Sequence, residues 1–198
     1  MKHLLLLSAL LALPAAAADR GRELFAACTA CHGADGGGDR GQAAPNLTGQ
    51  TADYLLRQLT AFADGTRKGG NAEVMQAVAG GLSQADREAV TAAIAALPRQ
   101  GHKASEAGPE LAPGRNFYNA ICSACHGTAG KGTPSLNAPR LGGQNPDYLK
   151  TQYAAFKSGE RGGDQAAVPA RQMRAITRTV PDAATEAAVL AYLATLGD

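Results

Sequence analysis

The chain has 198 residues, enough for one large domain or two small ones. Its formal net charge is only +2, which argues against a nucleic-acid binder. Aromatic residues make up 5% of the chain and Trp is absent, while Gly and Pro cluster in stretches such as GADGGGDRGQAAPNL. Because runs of alternating β-branched residues are also missing, the composition predicts an all-α fold of short helices joined by long loops.

Residues 1–18 are a predicted signal peptide. Lys2 and His3 precede an apolar run from Leu4 to Leu13, and small residues then end in an A-x-A site. Such a run is too short to span a bilayer comfortably. We expect cleavage after Ala18 and a mature protein that works outside the cytoplasm. No later stretch has the hydropathy of a membrane helix.

Six later segments have the pattern of helices: 20–27, 51–65, 82–97, 114–121, 145–159 and 182–196. Ser83 is a predicted N-cap for the third, and Pro98 ends it. Pro181 precedes the last helix and Gly197 follows it. The first and fourth of these helices each run directly into a cysteine motif.

The cysteine motif is part of a repeat with a spacing of 94 residues. CTACHG at 28–33 recurs as CSACHG at 122–127, and the same register aligns Pro45 with Pro139. It also aligns Gly49, Gln50, Tyr54, Leu55, Gln58, Phe62, Gly65 and Arg67 with Gly143, Gln144, Tyr148, Leu149, Gln152, Phe156, Gly159 and Arg161. Two copies are too few for a solenoid. We therefore predict two domains, 19–97 and 113–198, joined by a linker at 98–112.

The two CxxCH motifs favour covalent attachment of haem. Disulfides are the alternative in an oxidising compartment, but each pair would close a very small loop. A thioredoxin-like pair lacks its β-α-β context, and a zinc site would need ligands from adjacent Cys and His, which point in different directions. Two thiols one helical turn apart can instead add to the two haem vinyl groups. We predict haem c on Cys28 and Cys31 with His32 on the iron, and a second on Cys122 and Cys125 with His126.

Methionine is the candidate for the sixth iron ligand. Besides Met1 the chain contains only Met75 and Met173, one in each repeat, within a shared pattern M-x-x-[VI]-x-x-x-[LV]. Filling gaps in a core is the alternative role for both. The mature chain has one further histidine, His102 in the linker, and it is the next candidate ligand. His/Met ligation raises the reduction potential, as in electron-transfer cytochromes.

Together these motifs resemble class I cytochrome c domains in tandem, and the whole mature chain resembles the dihaem cytochrome c4 family. The resemblance implies two all-α domains related by a pseudo-twofold axis, each wrapped around one covalent haem c. It implies a periplasmic location and electron transfer from a quinol-oxidising complex towards a terminal oxidase, often at the membrane surface. It also implies that the carbonyls of Pro45 and Pro139, in APNL and APRL, accept a hydrogen bond from the ligating histidines.

Some residues can be placed in more than one way within this family. Tyr54, Tyr148, Gln58 and Gln152 could serve the haem propionates or the domain interface, or pack within their own domains. Tyr192 matches an aromatic of the last helix that packs on the first helix, but the first repeat has Ala93 there. The helix before Cys122 is one residue out of register with the helix before Cys28.

Three classes of function fit the motifs. An electron carrier needs no open iron and no small-molecule substrate, and this is the predicted function. A dihaem enzyme, such as a peroxidase or a thiosulfate-oxidising cytochrome, would need an open iron or an extra Cys or His ligand, whereas haem attachment consumes all four cysteines. The third class is a subunit of a larger oxidoreductase, for example one resembling the dihaem partner of a flavin sulfide dehydrogenase.

Charge differs between the two halves. Residues 19–97 contain seven basic and nine acidic residues, whereas 113–198 contain nine and six, giving net charges of −2 and +3. Three arginines lie near Met173 in the sequence: Arg171, Arg174 and Arg178. The matching positions near Met75 in the first repeat are Glu73, Gln76 and Gly80. The arginines are either a solvated face or a docking face for an acidic partner. In the second case we expect electrons to settle on the second haem and to leave through this face.

Overall fold

A computed structural model of the chain describes residues 9–101 and 109–197, with side chains from residue 17 onwards. The start of the predicted signal peptide and residues 102–108 of the linker, which include His102, lie outside the described residues. None of the described helices is long and apolar enough to cross a membrane.

The described residues form helices and loops, and their only β-pairing is two isolated bridges, Asp39 with Ala44 and Thr133 with Ala138. The first half contains α1 (Ala9–Phe25), α2 (Thr29–His32), α3 (Ala52–Ala63), α4 (Ala72–Gly80) and α5 (Gln84–Ala95). The second half contains α6 (Ala112–Phe117), α7 (Ser123–His126), α8 (Pro146–Ser158), α9 (Val168–Thr177) and α10 (Ala183–Leu193). The all-α prediction is confirmed.

Local side-chain caps fix the starts of the predicted helices. The Ser83 hydroxyl accepts a hydrogen bond from the Asp86 backbone N–H at 3.1 Å, as expected for an N-cap. Asp182 caps α10 in the same way through the Thr185 N–H. The last helix ends at Leu193, earlier than the predicted Leu196. The first helix begins earlier than residue 20 and runs through the predicted cleavage site after Ala18, because the alanines there are strong helix formers.

Each half has its own apolar core at equivalent positions. In the first half Phe25 packs with Leu55, Val90 and Ile94. In the second half the same places are taken by Tyr118, Leu149, Val189 and Leu193. The predicted aromatic contact exists, since the rings of Tyr118 and Tyr192 are 5.5 Å apart. The two halves are therefore separate domains with the same architecture.

A single π-helical turn explains why the helix before Cys122 is out of register. Tyr118–Cys122 form a π-helical turn, in which the Ser123 N–H bonds to the Tyr118 carbonyl. The corresponding segment of the first domain, Ala26–Cys28, is a tighter 3₁₀ turn. A π turn contains one more residue than an α turn. The extra residue of the second repeat is thus absorbed locally, and both cysteine motifs start from equivalent places.

The domains meet through a reciprocal pair of glutamines. The side chain of Gln144 bonds to both backbone groups of Asn46, accepting from its N–H at 2.7 Å and donating to its carbonyl at 2.8 Å. The side chain of Gln50 makes the same two bonds to Arg140, at 3.1 and 2.8 Å. Gln50 and Gln144 are related by the repeat, as are Asn46 and Arg140. The interface therefore has the predicted pseudo-twofold symmetry.

Candidate metal centres

Both cysteine motifs lie on short helices, α2 and α7, at the end of the first helical segment of their domain. None of the four cysteines is in a disulfide, which leaves all four available for attachment of haem. Cys31 and Cys125 are exposed, whereas Cys28 and Cys122 are half-buried against the apolar cores. Burial raises the pKa of Cys122 to about 11, and burial followed by the nearby Cys31 raises that of Cys28. Before haem is attached, burial thus keeps the thiols of Cys28 and Cys122 protonated at neutral pH.

The two histidines are held in one orientation by proline carbonyls. The Nδ1 atom of His32 lies 3.1 Å from the Pro45 oxygen, and that of His126 lies 2.9 Å from the Pro139 oxygen. A carbonyl can only accept, so Nδ1 of each ring carries the hydrogen. The Nε2 lone pair of each ring is then free to bind a metal.

Burial keeps both imidazoles neutral. His32 and His126 are buried, and burial lowers the pKa of each below its usual value, although the proline hydrogen bond opposes the shift. A neutral imidazole is the form that ligates a metal. The histidines therefore have the tautomer and the charge state that an iron ligand needs.

Glycines in the loop after each motif bring the proline carbonyl to its histidine. Gly38 has φ 88°, and its N–H bonds to the His32 carbonyl at 2.9 Å. A Cβ on Gly38 would lie 2.7 Å from the Ala44 oxygen, so no other residue allows this approach. Gly132 repeats the arrangement with φ 78° and a bond to His126. Sequence reasoning overlooked both glycines, although the 94-residue register aligns them.

The two candidate methionines lie at equivalent places in the helical order. Met75 is on α4 and Met173 on α9, the helices that follow α3 and α8. Both side chains are half-buried, and Met75 packs against Phe62, Ala72 and Ala79. The contacts suit a gap-filling role as well as a ligand, so the sulfur ligands stay a prediction.

The donor set fits haem better than a free ion. Among the described residues, no three His, Cys, Asp or Glu side chains converge on one point as a protein-only metal site requires. Each domain instead presents a thiol pair, an adjacent imidazole with a free Nε2 and a methionine on a later helix. These are the groups that attach and ligate a haem c.

The cytochrome c family model matches residues 18–97 and again 111–197. The chain belongs to the cytochrome c family. Each match contains one CxxCH motif, so this cytochrome carries two covalently bound haem c groups, on Cys28 and Cys31 and on Cys122 and Cys125.

Two relatives resemble the cytochrome over most of its length. Cytochrome c4 of Azotobacter vinelandii is 32% identical over 164 residues, covering 75% of each chain. The thiosulfate dehydrogenase electron acceptor of Stutzerimonas stutzeri is 36% identical over 180 residues, covering 86% of this chain and 79% of its own. Reduced recombinant cytochrome c4 from Pseudomonas stutzeri has the same fold, with a TM-score of 0.74 at 26% identity, over 90% of this chain and 98% of that one. The cytochrome is thus a dihaem electron carrier of the c4 type.

The repeated polar residues of α3 and α8 lie at the domain interface. Gln58 and Gln152 bond to two buried arginines, Arg67 and Arg161, across the domain boundary, and Tyr148 joins them. The 94-residue repeat aligns Arg67 with Arg161, but nothing in the sequence showed that the two side chains lie together at the interface.

Proposed function

We propose that this cytochrome is a periplasmic carrier that takes single electrons from a thiosulfate-oxidising dehydrogenase and delivers them towards a terminal oxidase. When bound, each haem supplies an iron that cycles between the ferric and ferrous states. The observation that carries the choice of donor is the likeness, over 86% of the chain, to a thiosulfate dehydrogenase electron acceptor.

The protein's part in this function is to hold each iron in a constant ligand field. His32 and His126 would bind through Nε2, since Nδ1 of each is committed to a proline carbonyl. Met75 and Met173 would supply the second protein ligand of each iron. With two protein ligands held in place, each iron would exchange single electrons without offering a free position to a substrate. This arrangement supports a carrier in preference to an enzyme.

The surface around Met173 suits a docking partner. Helix α9 exposes Val168, which is 55% accessible, and Ile176 beside three arginines. Exposed apolar side chains together with arginines are common in protein interfaces. Acidic residues on a redox partner would match the arginines and guide its approach.

A quinol-oxidising complex is the second candidate donor, because the cytochrome also resembles cytochrome c4 over 75% of its length. Stopped-flow reduction separates the two. We expect thiosulfate with its dehydrogenase to reduce both haems faster than a quinol-oxidising complex does at the same protein concentration. The reverse order of rates would contradict the proposed donor and favour the quinol route.

The optical spectrum tests the assignment as an electron carrier independently of the identity of the donor. In the oxidised protein we expect the weak red charge-transfer band of iron–methionine ligation from both haems. A high-spin haem in either domain would show an open iron and would favour the dihaem enzyme instead.

A further inference from the structure

A chain of hydrogen bonds connects each candidate histidine ligand to a glutamine of the opposite domain. His32 Nδ1 donates to the Pro45 carbonyl, which belongs to the same peptide group as the Asn46 N–H. That N–H donates in turn to Gln144 Oε1 at 2.7 Å. The chain therefore runs from an imidazole of the first domain, through one peptide group, to a side chain of the second domain.

The second domain contains the same chain with the roles of the domains exchanged. His126 Nδ1 donates to the Pro139 carbonyl. The N–H of the next residue, Arg140, donates to Gln50 Oε1 at 3.1 Å. Gln50 and Gln144 are related by the 94-residue repeat, so each domain supplies one glutamine to the other. Any effect of these glutamines should therefore be found at both candidate iron sites.

The orientation of the Gln144 amide is fixed by its partners. Oε1 accepts from the Asn46 N–H and also from the Asn145 N–H at 2.8 Å, and both of these groups can only donate. Nε2 donates to the Asn46 carbonyl at 2.8 Å, a group that can only accept. The side-chain oxygen therefore faces the peptide group that joins Pro45 to Asn46.

Both chains lie in a buried part of the molecule. The two histidines, Asn46 and both glutamines are buried. Hydrogen bonds in series polarise one another, and they do so most where water is excluded. An acceptor on a peptide N–H shifts electron density onto the carbonyl oxygen of that peptide. Each glutamine oxygen should therefore strengthen the hydrogen bond from the imidazole to the proline carbonyl.

This hydrogen bond acts on the iron through the imidazole. A stronger bond at Nδ1 leaves more electron density on the ring and makes Nε2 a more basic ligand. A more basic ligand favours the ferric state, so it lowers the reduction potential. We propose that Gln144 and Gln50 are positioning residues that act across the domain interface, each lowering the reduction potential of the haem in the opposite domain.

The proposal rests on ligation of both irons by histidine, and it is independent of the sixth ligands and of the electron donor. Hyperfine-shifted imidazole protons in the NMR spectrum of the ferric holoprotein would establish this ligation, whatever the glutamine variants do. Their absence from either domain would contradict the ligation and overturn the proposal with it. A failure of the glutamine variants alone would overturn the proposal and leave the electron-carrier function intact.

Gln144→Leu and Gln50→Leu test the proposal in the holoprotein. Leucine is close to glutamine in volume but has no hydrogen-bonding side chain, so it removes the acceptor while still excluding water. In a spectroelectrochemical titration we expect Gln144→Leu to raise the potential of the first haem and Gln50→Leu to raise that of the second. The potential of the haem in the substituted domain should stay nearly constant.

Asn145→Ser is the matched control. The Asn145 side chain donates across the same interface to the carbonyls of Asp39 and Ala44, at 3.3 and 3.2 Å. Serine can still cap α8, as Asn145 does, and leaves Gln144 in place. Each leucine variant should shift one potential by several times the shift that the control causes. Equal shifts of both haems, a shift only in the substituted domain, or shifts no larger than the control would overturn the proposal.

NMR of the ferrous protein keeps the test valid if a leucine variant fails to fold. Gln144→Glu retains a side-chain oxygen and, at alkaline pH where the carboxyl group is ionised, accepts more strongly. We expect the His32 Nδ1 proton to move downfield in Gln144→Glu and upfield in Gln144→Leu, while the His126 proton stays in place. A His32 proton that stays in place in Gln144→Glu, or that moves in the same direction in both variants, would overturn the proposal.

Discussion

Gly21 lies so close to Ala89 that a Cβ on the glycine would be 2.2 Å from the Ala89 carbonyl oxygen. Gly114 and Ala188 repeat this contact in the second domain, where the same distance would be 2.0 Å. These are backbone contacts, which cannot be relieved by turning a side chain. They show that the first and last helices of each domain cross at a glycine. This crossing fixes the position of the helix that leads into each cysteine motif.

Gly21→Ala should therefore destabilise the first domain. We expect the free energy of unfolding to fall by about 1–3 kcal/mol or more, because the helices must separate to admit the methyl group. Gly80→Ala is the matched control, since no atom lies within 4 Å of its Cβ position. Urea denaturation of both holoproteins measures the difference. Equal stabilities would show that the helices can shift without cost.

The reciprocal glutamines should hold the domains together. Gln144→Ala removes two hydrogen bonds to Asn46 and leaves its backbone groups unsatisfied at the interface. We expect a loss of about 1–3 kcal/mol in the free energy of unfolding. Gln84→Ala on the exposed surface should change it by less than about 0.5 kcal/mol. A similar loss in both variants would argue that the interface bonds add nothing to stability.

The sulfur ligands can be tested one domain at a time. Met75→His and Met173→His should each lower one reduction potential, by more than about 59 mV, which is tenfold in the one-electron equilibrium. The other potential should stay nearly constant, because the identity of an axial ligand acts locally. Potentiometric titration with optical detection measures both. If Met75→Ala left both haem spectra unchanged, Met75 would be a core residue and His102 the next ligand to test.

The arginines of α9 should affect both potential and docking. Arg171, Arg174 and Arg178 changed together to Gln should lower the potential of the second haem and weaken the salt dependence of its reaction with an acidic partner. The control changes Arg115, Lys131 and Lys150, which are exposed cations of the same domain outside α9. If haem-by-haem titration gave the first haem the higher potential, the proposed direction of electron flow would be wrong.

Two of these arginines also have a structural role that charge counting did not reveal. Arg171 donates to the Ala166 carbonyl at 2.9 Å, and Arg174 pairs with Asp164 at 3.3 Å. Part of their charge is therefore used to hold the loop before α9. The triple variant should be checked for folding by circular dichroism before its potentials are compared.

The sequence was sufficient for what depends on local spacing. Local sequence predicted the Ser83 cap, and the 94-residue repeat predicted two CxxCH sites that support each other, whereas the proline partners of the histidines were implied by the resemblance to the cytochrome c4 family. The π turn at Tyr118–Cys122 could not be read in this way, because it differs from an α turn by a single residue. The pairing of Arg67 with Arg161 depends on how two domains dock, which no local pattern encodes.

The glutamine contacts between the domains also bear on what one repeat could do without the other. Gln144 holds the residue that follows the proline of His32, and Gln50 does the same beside the proline of His126. The loop that aims each histidine is thus completed by the opposite half of the molecule. A gene fragment encoding one repeat would supply the ligands of an iron site without the brace that steadies them. We therefore expect an isolated repeat to hold its histidine less firmly than the two repeats do together.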